Sequence, residues 1–204
     1  IFLNVINPGN GTAQLSWNKT SFKNIPGNSI WYRIYREYPV GVWTQVDSTQ
    51  ALNYTDVVDV CNAQLNYKIE QANSAGCISV SNLAGGTLFS DQTPPAQGQF
   101  DTVSVTAAGL AELGWQSSVS KDADSVVIYR GNSALGPWLP IATLPNTQKY
   151  YLYPASTATL GIEYYRLAFK DSCSNLSPQG TIHNTIYLST SFNICSSTAS
   201  LIWN

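Results

Sequence analysis

The sequence predicts an all-β protein: two Greek-key β-sandwiches in tandem, at 1–92 and 93–189, then the opening strands of a third at 190–204. Three observations predict it. Apolar and polar residues alternate with period two over short runs, the pattern of half-buried antiparallel strands. Clusters of Gly, Pro, Asn and Ser punctuate those runs at intervals of about 8 to 12 residues, as between the strands of a sandwich. The strand motifs also come round twice in the same order, which sets a repeat architecture.

The first repeat turns at Asn7-Pro8-Gly9-Asn10-Gly11 and enters Ala13-Gln14-Leu15-Ser16-Trp17-Asn18, with Ala13, Leu15 and Trp17 on one face. A turn at Pro26-Gly27-Asn28 precedes Tyr32-Arg33-Ile34-Tyr35-Arg36, where Tyr32 and Ile34 oppose Arg33 and Tyr35. Gly41-Val42-Trp43 and Asn66-Tyr67-Lys68-Ile69 follow, with a turn at Asn73-Ser74-Ala75-Gly76. The second repeat carries Ala111-Glu112-Leu113-Gly114-Trp115-Gln116, then Val126 and Ile128 opposing Val127 and Tyr129 before a turn at Gly131-Asn132-Ser133. Gly136-Pro137-Trp138 and Tyr164-Tyr165-Arg166-Leu167 complete it, so four anchors recur in order at offsets of 94 to 98 residues. A third copy of the first anchor, Ala199-Ser200-Leu201-Ile202-Trp203-Asn204, stands alone. The chain is therefore read as a piece of a longer protein; it contains no Met, even at position 1. About 95 residues suffice for one two-sheet core, so Trp17 and Trp115 are expected to be buried. Leu201 to Trp203, an exposed apolar strand without most of its own sandwich, is expected to be less ordered in isolation, or ordered where it packs on the second repeat or on further chain. Thr93-Pro94-Pro95 reads as a stiff linker, since proline fixes the backbone and removes donors, and a second joint is expected near Leu188-Ser189-Thr190.

Charge excludes several functions. The 204 residues carry 10 Lys+Arg against 12 Asp+Glu, a net charge of −2, and only 11% are charged, against about 25% in an ordinary soluble domain. That leaves no electrostatic footprint for nucleic acid and no polybasic stretch for an anionic membrane surface. No run approaches the ~18 apolar residues of a membrane-spanning helix; Val57 to Val60, for example, is broken by Asp59.

No catalytic constellation emerges, and the chain is expected not to be an enzyme and to need no cofactor. His183 is the single histidine, so any Ser-His or Cys-His site would have to use it. It sits between Ile182 and Asn184 in the expected last strand of the second repeat, without a nucleophile elbow. One His and four dispersed Cys do not make a zinc site, and Gly85-Gly86 lacks the Lys-Ser/Thr of a phosphate loop. The carboxylate pairs Asp56/Asp59 and Asp122/Asp124 are read as turn chemistry rather than as a glycosidase pair. Alternation places Trp31, Arg33 and Tyr35 opposite the core, with Tyr38 beside them and Tyr150, Tyr151 and Tyr153 as a second aromatic set. Such a face either stacks on sugar rings or packs across strands. Trp43 and Trp138 recur at equivalent places, which marks them as structural.

The anchors resemble those of the fibronectin type III domain, an immunoglobulin-like sandwich. The resemblance rests on Trp17, Tyr32, Ile34 and Tyr67 in the first repeat and on Trp115, Val126, Ile128 and Tyr165 in the second. Val126 stands where the family pattern has Tyr. The resemblance covers residues 1 to about 190 and implies a tyrosine corner at Tyr67 and Tyr165. Three further stretches are similar to the tandem domains of large Bacteroidota surface proteins exported by type IX secretion and associated with gliding motility. These are Gly76-Cys77-Ile78-Ser79-Val80-Ser81 with Phe89 to Pro95, Asp171 to Pro178 with His183 to Ile186, and Cys195.

The resemblance implies a non-catalytic structural spacer or adhesive stalk segment of a secreted or cell-surface protein. Its partners would be neighbouring domains of the same chain and a surface or matrix glycan or protein, with no nucleic acid and no membrane insertion. The alternative is a carbohydrate-binding accessory module of a secreted multidomain enzyme. In the implied topology Asp122, Asp124 and Asp171 lie on loops that approach Asp91, which makes these four candidate calcium ligands. Four cysteines allow three full pairings. The implied topology puts Cys61 and Cys77 about a strand length apart, too far for a disulfide, and brings Cys61 towards Cys173. A Cys61–Cys173 bridge is therefore expected, with Cys195 partnered outside the chain and Cys77 a buried thiol; the alternative is four free thiols.

Overall fold

The computed structural model describes residues 1–20, 31–73 and 76–204. The turn expected at Pro26-Gly27-Asn28 and the Ser74-Ala75 step of the next one lie outside those residues. The described residues form seventeen strands and no helix, in two compact units, Ile1–Thr93 and Pro94–Asn204.

The first unit contains β1 (Leu3–Ile6), β2 (Thr12–Trp17), β3 (Tyr32–Glu37), β4 (Trp43–Thr49), β5 (Asn53–Val57), β6 (Ala63–Ala72), β7 (Ile78–Val80) and β8 (Ala84–Phe89). One sheet runs β1-β2-β5; the other runs β4-β3-β6, with β7 and β8 pairing successive stretches of β6. Every pairing is antiparallel. Strand β5 returns to β2 while its chain neighbours β4 and β6 lie in the other sheet, which is the Greek-key crossing. Alternation sets which face is dry: Ala13, Leu15 and Trp17 are buried while Gln14 and Ser16 are exposed. Leu3, Ile34, Leu65, Tyr67, Ile69 and Phe89 complete the core, and Trp17 meets Tyr32 edge-on at 5.6 Å. Among the described residues the indole N–H of Trp17 has no hydrogen-bond partner, and apolar contact holds this side chain. Gly85 sits at the β6–β8 irregularity with φ of 119°, where an added Cβ would strike the Leu65 carbonyl; only glycine takes that geometry without strain.

The second unit repeats the plan with β9 (Phe100–Val105), β10 (Ala111–Trp115), β11 (Ala123–Gly131), β12 (Trp138–Pro145), β13 (Tyr150–Leu152), β14 (Tyr164–Asp171) and β15 (His183–Asn184). Its sheets run β9-β10-β13 and β12-β11-β14-β15. Trp115 packs edge-on against Phe100 at 6.1 Å in a core with Leu113, Ile128, Tyr165 and Leu167. A separate hairpin follows, β16 (Leu188–Asn193) with β17 (Thr198–Trp203).

Several expectations need correction. Asp56 lies within β5 and Asp124 within β11, so neither is a loop residue. Val127, placed on the outward face by alternation, is buried together with its cross-strand neighbour Ala168; alternation reports which face a residue takes, not whether that face is covered. Cys77 is an exposed thiol rather than a buried one, because it follows the β6 turn with its amide held by Asn73 Oδ1 at 2.8 Å.

Candidate functional site

Two arginine–tyrosine pairs recur. Arg36 of β3 faces Tyr67 of β6, and Arg130 of β11 faces Tyr165 of β14, in each case as direct cross-strand neighbours. In the first unit the Tyr67 hydroxyl donates to Asp56 Oδ2 at 2.8 Å, and Arg36 Nη1 donates to the same oxygen at 3.1 Å. Arg36 Nη2 also pairs with Asp59 at 2.8 Å. In the second unit the carboxylate is Glu163. Its Oε2 accepts from the Tyr165 and Ser156 hydroxyls at 2.7 Å each. Its Oε1 accepts from Arg130 Nε at 3.0 Å and Nη2 at 2.9 Å, and from the amide and hydroxyl of Thr157 at 2.9 and 3.0 Å. The implied tyrosine corner is therefore a tyrosine–carboxylate contact in both units.

Electrostatics differ between the two clusters. Burial pushes the Asp56 carboxyl above its ordinary range, and the Tyr67 and Arg36 contacts only partly offset it. Burial acts upward on Glu163 too, but the donors from Tyr165, Ser156 and Thr157 outweigh it and hold the carboxyl below its ordinary range. Both tyrosines are pushed up, by burial first and then by the adjoining carboxylate. A carboxylate saturated with donors has no lone pair left to act as a general base, so Glu163 joins structure rather than catalysis.

One residue of the expected aromatic face is engaged from within its own sheet, and two are open. Trp31 and Arg33 are exposed and Tyr35 is half-buried. Lys68 Nζ lies 5.0 Å from the ring centroids of both Tyr35 and Trp43, while pairing with Glu70 at 2.8 Å. The second unit repeats this with the Arg166 guanidinium 4.6 Å from the Trp138 centroid. Cations over ring faces are held by the ring quadrupole, so the recurrent Trp43 and Trp138 are structural. Tyr38 is exposed in the turn after β3. Of the second aromatic set, Tyr151 and Tyr153 pack on the core, the latter edge-on to Tyr165 at 6.4 Å, and Tyr150 is exposed.

The candidate calcium ligands are not alike. Asp91 is buried and accepts from the Thr93 amide at 2.7 Å. Asp171 is buried and accepts from Asn175 N and Nδ2 at 2.7 and 2.8 Å. Within the second unit the Asp122 and Asp171 carboxylates come within 4.8 Å of one another. Asp124 is exposed and bonds Ser125 Oγ instead. His183 is half-buried, edge-on to Phe100 at 6.0 Å.

Cys61 and Cys173 are each disulfide-bonded; Cys77 and Cys195 are free and exposed. Cys77 and Cys173 occupy matching positions, four residues before Ser81 and Ser177. Those serine hydroxyls accept from the strand amides of Ile69 and Phe169 at 2.9 Å each. Alkylation of the native chain is expected to label Cys77 and Cys195 alone, with Cys61 and Cys173 labelled only after reduction. A mass spectrum showing four modified cysteines without reductant would contradict this assignment.

No family model matches the chain. No curated protein matches its sequence. Among solved structures it is similar to a crystal structure of chicken CNTN1 FN1-FN3 domains, at 14% identity and a TM-score of 0.42, over 86% of this chain. The match spans 62% of that chain's length.

Proposed function

We propose that the chain is a non-catalytic spacer or adhesive stalk segment, built of fibronectin type III-like repeats, within a large secreted or cell-surface protein. The carrying observation is that Trp43 and Tyr35 in one unit and Trp138 in the other hold cations of their own unit. A sugar-binding platform keeps ring faces open for stacking; these rings stabilise the sheet instead. The two disulfide-bonded cysteines support an oxidising, extracellular setting. The motifs around Cys77, Cys173 and Cys195 are what supports placing it among type IX-exported Bacteroidota surface proteins. Its partners are then neighbouring domains and a surface or matrix component. Non-reducing peptide mapping is expected to recover a linked Cys61–Cys173 peptide, and a Cys61–Cys77 peptide would overturn that pairing.

A glycan array probed with the purified chain tests the reading. No reproducible signal is expected. Binding that vanishes in Trp31→Ala would replace the spacer with the carbohydrate-binding module.

A further inference from the structure

We propose that the outer face of the β12-β11-β14 sheet in the second unit is a docking face for an acidic segment of a partner protein, gripped by Arg166 and Lys170. That a partner exists rests on the adhesive-stalk reading; its chemistry comes from the two units compared at matched register. In the first, Lys68 faces Tyr35, Glu70 faces Arg33 and Asn66 faces Glu37. In the second, Arg166 faces Tyr129, Ala168 faces Val127 and Tyr164 faces Gly131. The cation and the tyrosine beside it recur, and both glutamates are gone.

That difference changes what the cation can do. Lys68 lies over Trp43 and is closed by Glu70 at 2.8 Å. Arg166 lies over Trp138 in the same way, 4.6 Å from the ring centroid. Among the described residues, however, it makes no ion pair and no side-chain hydrogen bond, and its buried Nε has no acceptor. The side chain is only partly exposed, so it has given up hydration without gaining an acceptor. A guanidinium stacked on a ring keeps its edge N–H groups in one plane, the geometry that takes a carboxylate in two parallel bonds.

Lys170 stands on the same face of β14, opposite Ser125, and among the described residues it too pairs with no carboxylate. Four residues of strand set the two charges about 13 Å apart, with the uncharged Val127–Ala168 row between them. The acidic neighbours are engaged elsewhere. Asp124 is exposed and accepts from the Ser125 hydroxyl at 2.7 Å. Asp171 is buried and accepts from Asn175. The face therefore holds two unmatched positive charges in a chain whose net charge is −2. An extended acidic segment carries like-sided carboxylates at every second residue, about 7 Å apart, so two of them four residues apart meet both cations. The Trp138 ring face on which a sugar would stack is taken by Arg166, so the occupant is held by its carboxylates.

Fluorescein-labelled oligoglutamate is the probe, titrated with the 204-residue chain and followed by fluorescence anisotropy. Binding that weakens as salt is added is expected. Arg166→Gln and Lys170→Gln are each expected to weaken it about tenfold while the melting midpoint of the second unit stays in place. Arg33→Gln, which removes an exposed arginine from the first unit, is expected to leave it unchanged. Absence of binding at low salt overturns the proposal, and so does binding by the Lys170 variant equal to that of the unaltered chain. A sulfated glycan held through Arg166 more tightly than oligoglutamate overturns it as well, since the occupant would then be a polysaccharide. Each of those failures leaves the chain a spacer, whereas a glycan signal that depends on Trp31 strikes the spacer reading and leaves the oligoglutamate result standing.

Discussion

Glu163→Ala is expected to destabilise the second unit by about 1–3 kcal/mol, the cost of leaving the buried Tyr165 hydroxyl and the half-buried Arg130 guanidinium without this acceptor. Glu163 is 1% exposed, and its loss leaves the Arg130 guanidinium and the Tyr165 hydroxyl without their acceptor. Glu163→Gln keeps the volume and one acceptor oxygen, so a smaller loss is expected. Urea denaturation measures both. A loss below about 1 kcal/mol in the alanine variant would put the pair on a par with surface ion pairs and remove it from the core.

The same carboxylate gives that unit an acid limb. Its folded pKa is held below the ordinary range, so its contribution is fully present above the unfolded value of about 4.3. It is lost as pH falls through the folded pKa. Asp56 runs the other way. Its folded pKa is raised, so its favourable contribution is present below the unfolded value of about 3.9 and is lost as pH rises through the folded pKa. The stability gap between wild type and Glu163→Gln is therefore expected to shrink on acidification. The gap between wild type and Asp56→Asn is expected to move in wild type's favour. Parallel pH profiles for the two pairs would refute the opposed burial and hydrogen-bond balance.

Trp115→Ala is expected to cost about 3–5 kcal/mol, from lost transfer energy and the cavity left behind. Trp115 is 1% exposed and packs on Phe100, so little of the site can collapse onto the gap. Trp17→Ala should act similarly on the first unit, where it removes the edge contact with Tyr32. Each unit has its own hydrophobic cluster, so each variant should lower the unfolding of its own unit. An unchanged melting midpoint in either variant would contradict the placement of that indole.

The sequence by itself determined the strands, the two-fold repeat and the core. Each follows from local alternation: Ala13, Leu15 and Trp17 recur as Ala111, Leu113 and Trp115 because each hairpin must bury one face. Arg36 recurs as Arg130 and Tyr67 as Tyr165, at offsets of 94 and 98 residues, but only strand register sets each arginine beside its tyrosine. Their acceptors are not legible either. Asp56 arrives from β5 of the facing sheet, whereas Glu163 comes from the residue preceding β14. The two share no position in the repeat. A half-buried guanidinium favours a carboxylate partner but does not specify which strand brings it, so only the folded sandwich decides. The sequence likewise showed Tyr35, Trp43 and Lys68 as separate residues. Cross-strand pairing put the ammonium over both rings and drew Tyr35 into an internal contact, while Trp31 and Arg33 of the expected face stay exposed.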